Sequence, residues 1–258
     1  QSRRLSLQHN ILKKAYEGRL VFPPIALVDG SYVLDNGCGT VIWSIEFAQQ
    51  VSEKVLVKGI DIESGMFPAK LPSNIELSVG SMLDLPADWT NKYALVNQRL
   101  LMAALSGAQW EVALKEVFRV TAPGGWAQFG EVGNWRAGPI SEGHHDMMEV
   151  MYAKRGLLLH ITDLLPGMLK KAGFRDIRTE KRVLPLGSWE GPEGARVCRN
   201  FIDVYRAMKS VLLNYGGLGY VKSESEFDDW LDRVEKEWNE TNGSELEFYV
   251  FYAQKPVA

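Results

Sequence analysis

The sequence predicts an α/β fold with a mostly parallel sheet. The first observation is a short apolar strand at 32–34, followed by a glycine turn and an amphipathic segment at 42–51. The second is another apolar run at 55–61 that ends, like the first, at an acidic residue. The third is the continued alternation of strand and helix patterns along the chain, which is typical of a parallel sheet with helices on its faces.

Composition excludes several functional classes. The 258 residues are 46% hydrophobic and 24% charged, which suits one globular domain with a sizeable core. A net charge of −3 gives no electrostatic reason to bind nucleic acid. Two cysteines suit a reducing compartment, and no apolar run is long enough to span a bilayer. We therefore expect a cytoplasmic protein without a membrane or nucleic-acid partner, and the sequence allows a homodimer.

The glycine turn predicts the kind of ligand. Strand, glycine turn and helix together place backbone N–H groups and a helix N-terminus against a nucleotide-like ligand. A dinucleotide fingerprint has its acid about 20 residues after the glycines. Here Asp35 precedes Gly37 and Gly39, and Ile42 stands where the third dinucleotide glycine would be. This arrangement disfavours a nicotinamide oxidoreductase.

Asp35-x-Gly37-x-Gly39 resembles motif I of the class I S-adenosylmethionine-dependent methyltransferases. In that family the turn backs the amino-acid end of S-adenosylmethionine, and the acid lies near its ammonium group. The family usually has a further glycine where this chain has Val41, and a side chain there could crowd the ligand. The resemblance implies cofactor contacts at Asp35, Asn36, Gly37, Cys38 and Gly39.

The second and third strands supply the next expected contacts. A carboxylate at the end of the second parallel strand can accept both ribose hydroxyls, so we expect Asp61 and the adjoining Ile62 at the ribose; the alternative for Asp61 is a helix N-cap. Residues 75–79 alternate as a third strand does. The resemblance places the corner after it beside the adenine, at Ser81, Met82 and Leu83, although Met82 could equally be core.

Residues 93–99 predict a fourth strand, next to the first across the point where the strand order reverses. Ligands bind outside the carboxyl ends of such strands, so we expect Asn97 and Gln98 in the cleft near the transferable methyl. Arg99 is expected to be a structural ion-pair partner. Ser106 predicts the cap of a following helix, and the Pro-Gly-Gly turn before Trp126 resembles the family's entry to strand five, at 126–132.

Candidate acceptor-side residues come from both ends of this core. Residues 4–18 predict a helix, and the family resemblance implies that it lies over the cofactor, with Gln8, His9 and Tyr16 as candidates for closing the site. His9 and Tyr16 are expected to bind substrate; the alternative is a surface helix packed on the rim. From Gly133 to His160 the sequence has a less regular strand and helix pattern. We interpret this segment as an acceptor-binding lid with a helix only from Met147. Trp135 and Tyr152 could shape an aromatic pocket there or simply pack.

A base is needed only if the attacking atom must lose a proton. His144 and His145 in the expected lid are the candidate bases or acceptor ligands, with solvated loop histidines as the alternative. Glu131, at the end of strand five, is a second candidate base or ammonium clamp. We expect no metal site, because adjacent side chains such as those at 144–146 chelate poorly.

The rest of the chain completes the expected architecture. Residues 162–172 predict a helix and 177–184 the sixth strand. Ser223 and Glu226 form a capping-box pattern before another helix. Residues 246–253 predict a last strand inserted antiparallel. The domain plan is thus a single domain over 1–258 with a helical cap at 1–30, a cofactor-binding core at 31–132, and substrate-side insertions at 133–160 and 187–243.

Taken together, these features resemble a Rossmann-like class I methyltransferase fold: a seven-stranded, mostly parallel sheet with an antiparallel last strand and a helical lid. Within that class the Gln8-His9 and Ile42-Trp43 pairs resemble the fungal methyltransferases of secondary metabolism that are related to the global regulator of toxin production. The resemblance implies methyl transfer from S-adenosylmethionine to an oxygen or nitrogen of a small molecule such as a natural product, releasing S-adenosylhomocysteine. The alternative is a protein of the same fold without methyl transfer, either a regulatory binding partner or a cyclase.

Overall fold

A seven-stranded sheet runs through the computed structural model, which describes residues 2–257. The two terminal residues of the predicted domain, 1 and 258, lie outside that range. The strands are β1 Tyr32–Asn36, β2 Leu56–Asp61, β3 Ile75–Val79, β4 Tyr93–Arg99, β5 Thr121–Arg136, β6 Arg175–Pro185 and β7 Glu245–Gln254. The α-helices are α1 Ser2–Ala15, α2 Ile42–Ala48, α3 Gly107–Val120, α4 Pro139–Lys154, α5 Ile161–Ala172, α6 Pro192–Arg206, α7 Lys209–Asn214 and α8 Glu224–Glu240.

The strand order is β3-β2-β1-β4-β5-β7-β6. β1 pairs in parallel with β2 and with β4, so the order reverses at β1 and leaves a crevice at the carboxyl ends of these strands. β7 lies between β5 and β6 and is antiparallel to both. The predicted mostly parallel sheet with an antiparallel last strand is confirmed.

Successive residues of the central strands point to opposite faces of the sheet and enter two separate cores. Val33 and Leu95 belong to the smaller core, which α2 and the segment before β1 cover. Leu34 and Val96 belong to the larger core, which extends into α3 to α6 and α8. Because both faces are covered, the strands read as nearly continuous apolar runs.

The segment after β5 differs from its prediction. β5 continues to Arg136 because β7 pairs with it as far as Glu245. α4 then begins at Pro139, eight residues before the predicted helix, so the irregular segment expected before Met147 is wrong for most of its length. A distant carboxylate supplies the cap: Glu237 of α8 accepts hydrogen bonds from the backbone N–H groups of Ile140 and Ser141, at 3.0 and 2.7 Å. Local sequence carries no sign of such a partner.

Two predicted caps have different outcomes. The Ser106 side chain accepts a bond from the Gln109 N–H and the Gln109 side chain accepts one from the Ser106 N–H, so α3 begins with a full capping box. Ser223 also caps α8, but the Glu226 carboxylate accepts from the Lys222 N–H and not from Ser223. Only half of the predicted box at α8 therefore forms.

Candidate functional site

Two adjoining cavities lie at the carboxyl ends of the central strands. The first, of about 140 Å³, is lined by the glycine turn, Asp35, His9 and Arg99, and we name it the turn cavity. The second, of about 230 Å³, is lined mainly by aromatic and aliphatic side chains, and we name it the aromatic cavity. Leu5, Gln8 and Leu100 line both cavities. The aromatic cavity also contacts Arg4, Met102, Trp135, Tyr152, Phe201 and Tyr205.

The glycine turn is fixed by the neighbouring strand. The N–H groups of Gly37 and Cys38 both donate to the Ile60 carbonyl, at 2.8 and 3.0 Å. Gly37 and Gly39 have φ values of 77° and 52°, a region in which a side chain is strained. The Gly39 N–H donates to Oδ2 of Asp61 at 2.8 Å. The turn and the strand-two acid are therefore held together as one unit.

Val41 does not crowd this cavity. Its φ of 64° is the left-handed conformation that glycine adopts freely, which gives a backbone reason for the glycine usual at this position in the family. The Val41 side chain is fully buried in the smaller core and lines neither cavity. The departure from the family pattern thus costs backbone strain, on the order of 1–2 kcal/mol, and leaves the cavity open.

Asp35 lies at the base of the turn cavity within a buried hydrogen-bond network. Its two carboxylate oxygens accept from Ser44 Oγ at 2.6 Å and from Asn97 Nδ2 at 2.7 Å. Gln128 on β5 donates to Asn97 Oδ1 at 2.8 Å and to the Leu20 carbonyl at the same distance. Burial raises the pKa of Asp35, and the bond from Ser44 and the charge of Arg99 act against that rise.

Asn97 and Gln98 do not occupy the cleft, contrary to expectation. Both are buried inside the sheet, where Asn97 bonds Asp35, and Gln98 accepts from Asn36 Nδ2 at 2.8 Å. The cleft positions belong to Arg99 and Leu100, because β4 continues two residues beyond Asn97. The predicted strand already ends at Arg99, so taking its last residue and the residue after it would have identified Arg99 and Leu100.

Arg99 and His9 form a pair on one wall of the turn cavity. Arg99 donates to His9 Nδ1 at 3.1 Å, so the ring proton is on Nε2, which donates to Glu46 at 3.0 Å. Burial and the Arg99 charge lower the pKa of His9, which is therefore neutral. Arg99 makes no ion pair with a carboxylate among residues 2–257, so its predicted structural ion pair is wrong. His9, expected to bind substrate, lines the turn cavity and not the aromatic cavity.

The remaining expected cofactor residues lie along β2 and β3. Ile62 follows Asp61 with its side chain mostly exposed. Ser81 Oγ accepts from the Leu83 N–H at 3.1 Å and shapes the corner after β3. A Cβ atom on Gly37 would lie 3.1 Å from the Met82 methyl, so this corner packs directly against the glycine turn.

The loop after β4 forms the wall between the cavities. Leu100 has a φ of 62°, and its N–H donates to the Gly130 carbonyl at 2.8 Å. Glu131, expected as a base, is buried beneath this loop and accepts from the N–H groups of Leu101 and Met102, at 2.8 and 3.2 Å. Burial raises the pKa of Glu131 to about 8, although these N–H donors favour the ionised form. Glu131 lines neither cavity and instead holds the wall in place.

His144 and His145 are on α4, not in an open loop. His144 is fully buried with both ring nitrogens unpartnered among the described residues, and its ring packs on Tyr205 with centroids 4.5 Å apart. Burial lowers its pKa to about 3, so it is a neutral core residue. His145 packs on Trp135 at 4.9 Å, outside both cavities. With Asp146 and Glu149 it forms a cluster whose potential ligand atoms lie within 4.8 Å of one another.

The expected substrate residues divide between the cavity and the core. Trp135 and Tyr152 line the aromatic cavity. Tyr16 lies outside both cavities, and its hydroxyl is within hydrogen-bond distance of the Phe248 carbonyl at 3.1 Å. Tyr205 and Phe201 were missed, because α6 reads as an ordinary amphipathic helix and only packing shows which residues face the cavity.

Comparisons with known proteins agree with this geometry. A family model described as a methyltransferase domain matches residues 33–125, which include the glycine turn, Asp61 and the corner after β3. Over its whole length the chain is 29% identical to the N-methyltransferase sirN of Leptosphaeria maculans and covers 92% of it. It is 25% identical to the N-methyltransferase gliN of Aspergillus fumigatus, with 99% of this chain and 94% of that protein covered. A secondary metabolism regulator of Pyricularia oryzae is 27% identical to this chain, and the match covers 75% of this chain and 62% of the length of that protein.

Solved structures show the same fold. Phosphoethanolamine N-methyltransferase 2 of Haemonchus contortus, in complex with phosphomonomethylethanolamine and S-adenosylhomocysteine, superposes with a TM-score of 0.55 at 18% identity. The match covers 96% of this chain and 52% of that protein, so the chain spans about half of its length. The [4+2]-cyclase SpnF superposes with a TM-score of 0.57 at 17% identity, covering 98% of this chain and 93% of SpnF.

Proposed function

Because the chain is a class I S-adenosylmethionine-dependent methyltransferase similar to the fungal enzymes of secondary metabolism, we propose that it methylates a nitrogen atom of an apolar natural product. The observation that carries this proposal is the shared wall of the two cavities. Leu5, Gln8 and Leu100 line both the turn cavity and the aromatic cavity. A donor in the first and an acceptor in the second would meet at this wall, and holding two reactants together supplies several kcal/mol of a transfer barrier.

The residues of the turn cavity fit the proposed donor. Asp35 would hold its ammonium group and the Arg99 guanidinium its carboxylate. Asp61 ends β2 outside the lining of this cavity, where it accepts from the Gly39 N–H, and it would hold the ribose hydroxyls. The bare glycine backbone at Gly37 and Gly39 leaves room for close approach. Bound S-adenosylmethionine would supply a methyl group on a positively charged sulfur, so attack requires only a lone pair. The corner at Ser81, Met82 and Leu83 would lie beside the adenine.

The aromatic cavity favours nitrogen over oxygen as the acceptor atom. Of the described residues that line it, none is Asp, Glu or His. Burial raises the pKa of the Tyr152 phenol to about 12, so Tyr152 stays protonated at neutral pH. An alcohol must lose its proton as it is methylated and needs a base, whereas a neutral amine already has its lone pair. Desolvation in an apolar cavity keeps an amine neutral.

Arg4, the one charged residue among the described residues that line the aromatic cavity, also restricts the acceptor. Burial lowers the pKa of Arg4, and the nearby Asp203 charge acts against that shift. The Arg4 charge would repel a cationic acceptor, and the apolar lining increases the cost of that repulsion. The acceptor is therefore neutral or anionic near Arg4, and flat enough to lie against Trp135, Tyr152 and Tyr205.

Binding measurements test the donor site. Isothermal titration of the protein with S-adenosylmethionine, S-adenosylhomocysteine and NADH should show micromolar binding of the first two and none of the third. Asp61→Ala should abolish that binding while the fold survives, and Glu63→Ala, which removes an exposed carboxyl group two residues away, should leave it unchanged. Tight binding of S-adenosylmethionine by Asp61→Ala would contradict the assigned site.

Turnover separates methyl transfer from the alternative of a regulatory or cyclase role. The similarity to a regulator and the fold shared with a cyclase support that alternative. Incubation with labelled S-adenosylmethionine and fungal extracts should release S-adenosylhomocysteine and label an apolar amine. Cofactor binding without label in any extract would favour the alternative.

Two further observations concern the cellular setting. No helix among residues 2–257 is long and apolar enough to cross a membrane. Cys38 and Cys198 are both free and buried. These features support a cytoplasmic setting, and light scattering of the purified protein would show whether it forms the homodimer that the sequence allows.

A further inference from the structure

Gln8 is the hydrogen-bonding side chain at the wall between the two cavities. Of the three residues that line both, Leu5 and Leu100 are aliphatic and Gln8 alone carries a polar group. The Gln8 residue is only 5% exposed, and its carboxamide is not among the side-chain atoms that are sealed from solvent without a partner, so the exposure that remains is to the cavities it lines. An amide at the edge of a cavity keeps its hydrogen-bonding capacity for water or for a ligand that displaces the water.

We infer that the Gln8 carboxamide accepts a hydrogen bond from the N–H of the acceptor and thereby positions the nitrogen for methylation. The inference rests on the proposed function. Its physical reason is charge: as the reaction proceeds, the acceptor nitrogen becomes positive, and a carbonyl dipole beside its N–H stabilises that charge. Gln8 has no titrating group, so it positions the acceptor without acting as a base.

The bond changes balance around this contact. The acceptor nitrogen uses its lone pair to form the new C–N bond while the C–S bond breaks and leaves its electron pair on sulfur. The positive charge passes from sulfur to nitrogen, and the surplus proton of the methylated nitrogen leaves to water. During this step the N–H bonded to Gln8 becomes more acidic, so the hydrogen bond strengthens in the transition state, where it increases the rate.

The position of α1 supports this role. The neighbouring His9 is fixed by Glu46 and Arg99, so the helix turn that carries Gln8 is anchored on the cofactor side. Arg4, one turn earlier on the same helix, lines only the aromatic cavity. Gln8 is thus held between a fixed neighbour on one side and the acceptor cavity on the other.

Binding of two matched probes tests the contact without requiring the natural acceptor. With S-adenosylhomocysteine saturating the protein, we would titrate indole, which has an N–H, and 1-methylindole, which does not. The wild type should prefer indole by about fivefold or more, as expected for one net hydrogen bond. Gln8→Leu keeps the side-chain size and removes the acceptor atom, so the preference should fall below twofold. Asn10→Leu, the same kind of change at an exposed position of α1, should retain it.

The outcomes separate this inference from the proposed function. If the wild type does not bind S-adenosylhomocysteine, the proposed function fails. If it does bind, but favours indole no more than 1-methylindole, or if Gln8→Leu retains the preference, the role of Gln8 is overturned. Loss of S-adenosylhomocysteine binding in Gln8→Leu would also overturn it, because Gln8 would then be a cofactor contact.

Discussion

Asn97 Nδ2 donates a 2.7 Å hydrogen bond to Oδ1 of Asp35 across the central pair of strands, and both residues are buried. From the sequence we expect Asn97 in the cleft, but in the structure Asn97 holds Asp35. Its other amide atom accepts from Gln128, so the network runs from the turn cavity through β4 to β5. Asn97 therefore fixes the position of the Asp35 carboxylate at the base of the turn cavity.

This contact predicts a charge-dependent loss of stability in Asn97→Asp. Two buried carboxylates would then face each other, and one must stay protonated for the protein to fold. We expect the free energy of unfolding to fall by at least about 3 kcal/mol at pH 8. The loss should shrink as the pH falls towards 4, because the new carboxyl has a raised pKa in the folded state. Urea unfolding across pH measures this, and Asn97→Leu, which adds no charge, should show a weaker pH dependence.

Val41 predicts an effect on stability without an effect on the ligand. Its side chain is buried in the core while its backbone has a φ of 64°. Val41→Gly relieves backbone strain and removes buried side-chain atoms, so the change in unfolding free energy should be within about 2 kcal/mol. The dissociation constant for S-adenosylmethionine should change less than threefold. A tenfold gain in affinity would mean that Val41 does crowd the cofactor.

Glu131 predicts that stability falls as the pH rises. Its pKa is raised from 4.5 to about 8 in the folded state, so the folded protein holds a proton that the unfolded chain releases. That contribution is complete below pH 4.5 and is lost as the pH rises through about 8, up to about 5 kcal/mol in all. Glu131→Gln should remove this slope in urea unfolding. Glu63→Gln, at an exposed position, should leave the slope unchanged.

His144 predicts that stability falls as the pH falls, the opposite of the Glu131 effect. Burial lowers its pKa from 6.5 to about 3, so the unfolded chain binds a proton that the folded protein excludes. Stability from this residue is complete above pH 6.5 and is lost as the pH falls towards 3. His144→Phe should flatten the slope in this range and retain at least half of the methyl-transfer rate. The control is His160→Gln, which changes a half-buried surface histidine and should change the slope little. A hundredfold loss of the methyl-transfer rate in His144→Phe would instead mean that His144 acts as a base.

The sequence by itself determined the frame of the cofactor site. Apolar runs ending at Asp35 and Asp61, with the glycines between them, are local signals, because strand ends and tight turns depend on nearby residues. The strands at 75–79 and 93–99 were predicted with their observed bounds for the same reason. The antiparallel last strand came from the family resemblance.

Only the tertiary structure decided which side chains face the cavities. The end of β4 at Arg99 was predicted, but Asn97 and Gln98 are buried inside the sheet because they bond Asp35 and Asn36 on the neighbouring β1. α4 begins where Glu237, almost a hundred residues away, accepts its first N–H groups, and this places His144 in the core. Gln8 reads as one polar residue on an amphipathic helix until folding brings it to the wall between two cavities. These outcomes depend on contacts between distant segments, which no local pattern contains.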